Sequence, residues 1–352
     1  MLKSKTYIAV PPGATIREQL EYRGMSQKEF AVRMNMSEKH ISKLINGEVQ
    51  LTPETAVLLE TVLSVPAEYW NRLEANYREK LIKVKAENEM DEDILIAKAF
   101  PYGEMAKMGW VPETTNAQEK VSYLRKYFEL VNLMLLGDGR ITNIACRRLA
   151  ITDKSDLALI AWAQEAKLKA RDIKTTRLDL KKLQSSLLDI RNLTNLAQEV
   201  FFPKLDKILA DCGIALVYLP HLKGSFLQGA TFLDGNRAVI AMTSRGKDAD
   251  KYWFSLFHEI AHIVLGHLGK TSGTTEEEEH AADKWAANML ISEEAFKIFC
   301  DMKDYSKKAV VAYADNIGVA PGILVGRMQH EGLIDHSKLN DLKEKVELEV
   351  MI

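Results

Sequence analysis

The sequence HEIAH, His258–His262, lies inside the apolar segment Tyr252–Leu268. One turn of an α-helix brings residues four apart onto the same face, so both imidazoles can reach a single Zn²⁺ ion. Glu259 is next to the first histidine, in a position to take a proton from a water molecule on the metal. The stretch therefore predicts a helix that carries a metal site, with His258 and His262 as ligands and Glu259 as the catalytic base.

The alternative interpretation of this motif is a chance match on an exposed helix, where it would be surface charge. A chance match needs no particular context. Here the neighbouring apolar residues recur at helical spacing, at Phe254, Phe257, Ala261, Val264, Leu265 and Leu268. That stripe predicts a buried helix whose polar side chains need partners, with Asp248 or Asp250 as its cap and Gly266 near its end.

A catalytic zinc site needs a third protein ligand and an open position for water. After a loop rich in glycine, serine and threonine, the sequence EEEEHAADKWAANML at residues 276–290 predicts a second helix. Its alanine face would allow a close approach to the first helix. Glu279 is the expected third ligand, and Asp283 is expected to accept the outer N–H of a ligating histidine. The alternative for the acidic run, a solvated helix start favoured by the helix dipole, suits its first two residues.

These two segments, FSLFHEIAHIVLGH at 254–267 and EEEEHAADKWAANMLIS at 276–292, resemble the ImmA/IrrE family of zinc-dependent metallopeptidases. The preceding segment, residues 222–242, is similar to the family's glycine-containing β-hairpin, with a turn at Asp234–Asn236. Two positions depart from the family: Ala281 stands where a second glutamate is common, and Trp285 replaces the usual phenylalanine.

The resemblance implies a zincin-like peptidase domain with a small β-sheet and an HExxH helix, holding one Zn²⁺ per chain. It also implies hydrolysis of peptide bonds, with the strand around 237–243 aligning an extended substrate. We expect this domain to span residues 196–305. His280, His267 and Tyr252 are near the motif in sequence, but none of them is assigned as a second oxyanion donor.

Residues 12–81 carry an independent pattern of short capped helices. Ser26 is expected to cap one helix, with Glu29 completing a capping box, and Ser37 is expected to cap the next. Two short helices joined by a three- to four-residue turn, with Ala31 at their crossing, are typical of a helix-turn-helix. The pattern resembles the XRE/HigA type of DNA-binding domain, which predicts a four- or five-helix domain over residues 1–82.

By that likeness the helix from 37 to 46 lies in the major groove of a double-stranded DNA operator. The expected base-reading residues are Ser37, Lys39, His40, Ser42 and Lys43, and Gln27 is expected to donate to a phosphate. Residues 17–46 contain six basic and four acidic side chains, a weak positive balance of +2. A homodimer on a palindrome is therefore the expected DNA-binding form. The alternative is a helical protein-interaction module that has lost its affinity for DNA.

The whole chain has 352 residues and a formal net charge of −2, which excludes a generally basic nucleic-acid coat but not a local DNA-binding surface. Three separated cysteines fit neither a disulfide framework nor a thiolate metal site. No secretion signal or long apolar run stands out, so a cytoplasmic protein with no membrane partner is expected. We predict a mainly α (α+β) fold, with a helical middle region at 83–195 and C-terminal helices at 306–352 that pack on the peptidase.

Three functions remain open. The first is a DNA-binding transcriptional regulator whose zinc-dependent endopeptidase domain cleaves a regulatory protein. The second is a HigA-like antitoxin that represses transcription and binds a toxin partner without proteolysis. In the third, zinc serves as a sensor or structural clamp. Glu259 favours the first, because a structural zinc site needs four protein ligands and no adjacent base.

Overall fold

The computed structural model describes residues 2–4, 7–88, 90–138, 154–223, 228–243, 248–269 and 274–346. Two compact units divide the chain, Met1–Ile94 and Leu95–Ile352. Helices dominate both units and the sheets are small, so the predicted mainly α (α+β) class is confirmed. Residues 224–227 of the expected hairpin segment and Cys146 lie outside the described residues.

The first unit combines a short antiparallel ribbon with a set of helices. Its elements are β1 Leu2–Lys3, β2 Ile8–Ala9, α1 Gly13–Tyr22, α2 Gln27–Arg33, α3 Glu38–Asn46, α4 Pro53–Leu63 and α5 Ala67–Asn88. The Ser26, Ser37 and Thr52 hydroxyls cap α2, α3 and α4 by accepting a backbone N–H three residues later. The capping box expected at Ser26 is only half formed. The Ser26 hydroxyl accepts the Glu29 backbone N–H, but the Glu29 carboxylate pairs with Arg33 at 2.7 Å instead of with the backbone of Ser26.

The core of the first unit fixes the crossing of its helices. Ile16, Phe30, Ile41 and Trp70 are fully buried at its centre. A side-chain carbon at Gly13 would lie 1.9 Å from the Ile45 carbonyl oxygen. Only glycine therefore lets the start of α1 lie against the end of α3.

The second unit is a longer helical assembly around one mixed sheet, and its boundary with the first unit falls within α6, Met90–Ala99. Its further helices are α7 Tyr102–Lys107, α8 Ala117–Tyr127, α9 Lys154–Ala170, α10 Leu180–Asn192, α11 Gln198–Asp211, α12 Ala249–Val264, α13 Glu276–Leu290, α14 Glu293–Asp301, α15 Lys307–Ile317 and α16 Pro321–His330. Short 3-10 helices occupy Leu133–Gly137, Leu193–Asn195 and Asn340–Leu342.

The sheet of the second unit has three strands, β3 Ile214–Leu219, β4 Gly229–Asp234 and β5 Arg237–Thr243, in the order β3-β5-β4. Strands β4 and β5 form an antiparallel hairpin, and β3 runs parallel to β5. The expected turn is present, with Gly235 in the left-handed region at φ 62°. One expectation is wrong: β5 is the central strand with partners on both sides, so it offers no free edge to a substrate. The strand at the sheet edge beside α12 is β4.

The C-terminal helices pack into the core of the second unit. Leu324 and Met328 of α16 are fully buried in that core. From Ser337 to Val346 the described tail forms only a short 3-10 turn, and Lys345 forms an isolated β-bridge with Asp248. Among the described helices, none is long and apolar enough by itself to cross a membrane; α15 and α16 reach that length only jointly, across a bend of 112°.

Candidate functional site

Helix α12 carries the HExxH motif through the core of the second unit. Phe257, Ile260 and Ala261 are fully buried, and Glu259 and His262 are 5% and 1% exposed. Asp248 occupies the N-cap position, but its side chain makes no capping hydrogen bond; it pairs with Lys251 and Lys345 instead. The motif is therefore a buried polar stripe on an otherwise apolar helix.

The structure brings the three expected ligand side chains together. His258 Nε2 and His262 Nε2 are 3.1 Å apart, and the Glu279 carboxylate oxygens lie 3.3 Å from the first and 3.7 Å from the second. No fourth His, Cys, Asp or Glu ligand atom joins this group among the described residues. Donor atoms at 2.0–2.1 Å from a tetrahedral zinc are about 3.3 Å apart, so the spacing suits such an ion.

The outer nitrogens of both histidines also have partners. His258 Nδ1 lies 2.8 Å from Asp283 Oδ1, and His262 Nδ1 lies 3.1 Å from His267 Nδ1. An Nδ1–H that donates to Asp283 leaves a bare lone pair on His258 Nε2. His267 was named from the sequence without a role, and its contact depends on a turn after α12 with Gly266 at φ 74°.

Glu279 reaches the histidines from the first turn of α13. Thr275 and Glu278 form a reciprocal capping box that fixes this helix start, and Thr274 Oγ1 donates to Glu279 Oε1 at 2.5 Å. Ala282 and Ala286 are fully buried, which lets α13 lie close to α12. The alanine face thus has the effect expected from the sequence.

Two residues of β4 hold Glu259 in place, and sequence reasoning missed both. Thr231 Oγ1 donates to Glu259 Oε2 at 2.6 Å. A side-chain carbon at Gly229 would lie 2.7 Å from Glu259 Oε1, so the strand passes directly over the carboxylate. A Gly-x-Thr pattern in a strand is too common to have indicated this contact.

The electrostatics of the metal-free site follow from burial and from the three neighbouring carboxylates. Burial raises the pKa of Glu259 above its ordinary value, against the opposing effects of His258 and Thr231. Burial alone would lower the pKa of His258, but Glu279, Glu259 and Asp283 outweigh it and raise that pKa to about 9. The pKa of Glu279 is lowered despite its own burial, because His258, His262 and Thr274 hydrogen-bond to it.

Most of the residues expected to contact DNA are exposed on the first unit. Those that are exposed are Gln27, Ser37, Lys39, His40 and Lys43, while Ser42 is half-buried. The opposite face of α3 is buried through Ile41, Leu44 and Ile45. Ser37 also has a structural task, since its hydroxyl accepts the His40 backbone N–H at 3.2 Å.

Comparison with known proteins finds a matching segment in each of the two units. Residues 16–70 match the family model of helix-turn-helix domains. Over 63 residues the chain is 35% identical to an uncharacterized HTH-type transcriptional regulator of Escherichia coli (strain K12), YddM, covering 18% of this chain and 67% of the relative. This chain belongs to the helix-turn-helix family. Its helix-turn-helix domain comprises α1 to α4 and the start of α5, and such a domain implies DNA binding.

The Peptidase U49 family model matches residues 252–313 of this helix-turn-helix protein. That range begins in α12, contains the HExxH motif and all of α13, and ends in α15. These matches confirm the family resemblance predicted from the sequence, a regulator-type helix-turn-helix joined to an ImmA/IrrE-like peptidase domain.

Proposed function

We propose that this protein is a DNA-binding transcriptional regulator whose second unit is a zinc-dependent endopeptidase acting on a regulatory protein. The observation that carries the proposal is the convergence of His258, His262 and Glu279 next to the buried carboxylate of Glu259. The Peptidase U49 match supports the class of reaction. The helix-turn-helix domain supports a target in transcriptional control, since it would place the peptidase near promoters.

The donor set fits a zinc ion on its own chemistry. When the outer nitrogens donate, two imidazole lone pairs and a carboxylate oxygen converge, and three acceptors need a cation between them. Two imidazoles and one carboxylate are also a ligand set found in catalytic zinc sites, which keep one position open. We therefore assign His258, His262 and Glu279 as ligands of one Zn²⁺ per chain. Asp283 would fix the ring of His258 through its Nδ1–H.

Zinc held there would polarise a peptide carbonyl and lower the pKa of a water molecule to about 7. Glu259 would accept the proton of the attacking water, and its burial supports this role because a raised pKa brings a carboxylate nearer to the operating pH. Thr231 and Gly229 orient that carboxylate. The free edge of β4 would pair with the main chain of an extended substrate and carry it past Glu259.

The proposal for the first unit is that α3 enters the major groove of an operator, with Lys39 and Lys43 among the contacts. The weak local charge of +2 over residues 17–46 supports a homodimer as the binding form, because two copies double the phosphate contacts. The cleaved protein would then be another component of the same regulatory circuit.

The test is digestion of candidate regulatory proteins by purified zinc-loaded protein and by its Glu259→Gln variant. We expect cleavage by the wild type, a loss of rate of roughly 10²- to 10⁴-fold in the variant, and unchanged zinc content. Cleavage by the variant at the wild-type rate would refute the role of the base. Binding of an intact partner without cleavage by either protein would favour the antitoxin alternative.

A further inference from the structure

The second unit contains a cavity of about 530 Å³ between α12, α13 and α16, beside the metal-ligand group. This volume lies within the range of sites that bind small molecules. Phe254, Ala287 and Ile323 give the cavity apolar walls from all three helices. None of the roles assigned above uses this space.

Two residues connect the cavity to the proposed catalytic centre. Asp283 lines the cavity and also contacts His258 Nδ1 at 2.8 Å. Gln228 lines it too, and directly precedes Gly229, the residue that packs over Glu259. An extended peptide that pairs with β4 would therefore pass this cavity within a residue or two of the cleaved bond.

The charged side chains around the cavity already have partners. Three ion pairs lie on its wall: Lys343 with Asp250 at 2.7 Å, Arg327 with Glu331 at 3.1 Å and Lys284 with Glu293 at 3.7 Å. A further charge brought into the cavity would therefore have no free counter-charge of its own. Because the positive and negative side chains on the cavity wall already pair with each other, the cavity favours an uncharged occupant.

Two buried polar atoms on the cavity wall lack a partner among the described residues, and both are hydrogen-bond acceptors. Asn288 Oδ1 and Asp250 Oδ1 are buried on residues that line the cavity, and neither has a hydrogen-bond partner in the described part of the chain. Buried polar atoms are normally paired. A primary carboxamide offers two N–H donors and one carbonyl acceptor, so it matches the Asn288 amide in either of that amide's two orientations.

We infer that this cavity is a specificity subsite that takes a glutamine or asparagine side chain of the substrate. The aliphatic stem lies against Phe254 and Ile323, and the terminal amide pairs with Asn288. This inference rests on the proposed peptidase function and adds the class of side chain that the enzyme selects.

The first test uses a random-sequence peptide library digested by the zinc-loaded full-length protein, with cleavage sites read by mass spectrometry. We expect glutamine or asparagine to be enriched at one fixed position beside the cleaved bond by roughly tenfold or more. Enrichment of an apolar or a basic residue at that position, or no preference, would overturn the inference while leaving the peptidase intact. No cleavage of any peptide would count against the proposed function itself.

The second test changes the cavity wall through Asn288→Leu, which keeps the side-chain size and removes the amide. We expect the amide preference to be lost in favour of leucine or methionine, with zinc content retained. Asn71→Leu, the same substitution at an exposed position of α5, should leave the preference unchanged. An Asn288→Leu variant that still selects glutamine or asparagine would overturn the inference.

A binding measurement separates selection from catalysis. Calorimetric titration of the zinc-loaded Glu259→Gln variant with a peptide containing the selected amide residue, and with its leucine counterpart, should show at least about tenfold tighter binding of the amide peptide. Adding Asn288→Leu to this variant should abolish the difference. Equal affinities before that second change would overturn the inference.

Discussion

Thr231 Oγ1 donates to Glu259 Oε2 across 2.6 Å, which ties the edge strand β4 to the carboxylate of the HExxH helix. Both residues are buried, at 0% and 5% exposure. A hydrogen bond to the charged form of a carboxylate stabilises that form and fixes its direction. The strand that would align the substrate therefore also positions the proposed base.

The first prediction removes that hydroxyl. Thr231→Val should lower kcat by about tenfold or more, because Glu259 loses a charge-assisted hydrogen bond while the strand keeps its shape. The same loss should raise the pKa of Glu259, since Thr231 lowers it in the native protein. The acidic limb of the kcat/KM profile should then move to higher pH. Thr231→Ser is the control and should behave as wild type; an unshifted profile in Thr231→Val would contradict this account.

The second prediction concerns the space over Glu259. Gly229→Ala places a carbon 2.7 Å from Glu259 Oε1 and 2.9 Å from its Cγ, so the carboxylate must move. We expect cleavage to fall by at least tenfold with zinc content unchanged, because misplacing a catalytic group is costly. The matched control is Gly103→Ala, where the added carbon meets no atom within 4 Å. Full activity in Gly229→Ala would show that the position of Glu259 is not critical.

The third prediction tests the carboxylate behind His258. Asp283→Ala should weaken zinc affinity by roughly 10- to 100-fold, because the outer hydrogen bond orients a ligating ring and raises its basicity. Zinc release to a competing chelator measures the change. Glu277→Ala, an exposed acidic position on the same helix, is the control for lost negative charge. Equal losses of zinc affinity in both variants would mean that Asp283 acts only through its negative charge and not through its hydrogen bond to His258.

The fourth prediction concerns pH and the metal-free protein. The pKa of His258 is raised from 6.5 to about 9, so protonation stabilises the fold fully below pH 6.5 and this contribution is lost as pH rises to 9. Its size is at most about 3 kcal/mol. Urea unfolding at stepwise pH values should show the loss in wild type but not in His258→Gln. Zinc uptake at neutral pH should also release a proton, since a ligating histidine must be neutral; uptake without release would contradict the raised pKa.

The fifth prediction addresses the DNA-binding face. Lys39→Ala with Lys43→Ala should weaken operator binding and flatten the dependence of log affinity on log salt, because each copy of the proposed homodimer loses two positive charges next to the DNA. Lys297→Ala with Lys308→Ala, two exposed lysines of the second unit, is the matched control. An unchanged salt dependence in the Lys39→Ala, Lys43→Ala variant would contradict DNA binding through α3 and would indicate a protein-interaction surface instead.

Local spacing predicted which side chains come together, because helix geometry alone places His258 and His262 on one face and Glu279 on the alanine face of the next helix. The features of the second unit that the sequence did not predict depend on pairing between distant segments. The order β3-β5-β4 puts β4 rather than β5 at the edge, and a hairpin sequence does not contain that order. The contact of Thr231 with Glu259 follows from the same non-local packing. The half-formed box at Ser26 failed for a local reason, since Arg33 competes for the Glu29 carboxylate.

X-ray absorption spectroscopy of the zinc-loaded protein, combined with metal analysis of His262→Ala, tests the central claim most directly. We predict about one zinc per chain, held by two imidazole nitrogens and two oxygens, of which Glu279 supplies one, and loss of that zinc in the variant. A zinc ion with four protein ligands, or one retained in full by His262→Ala, would contradict the account.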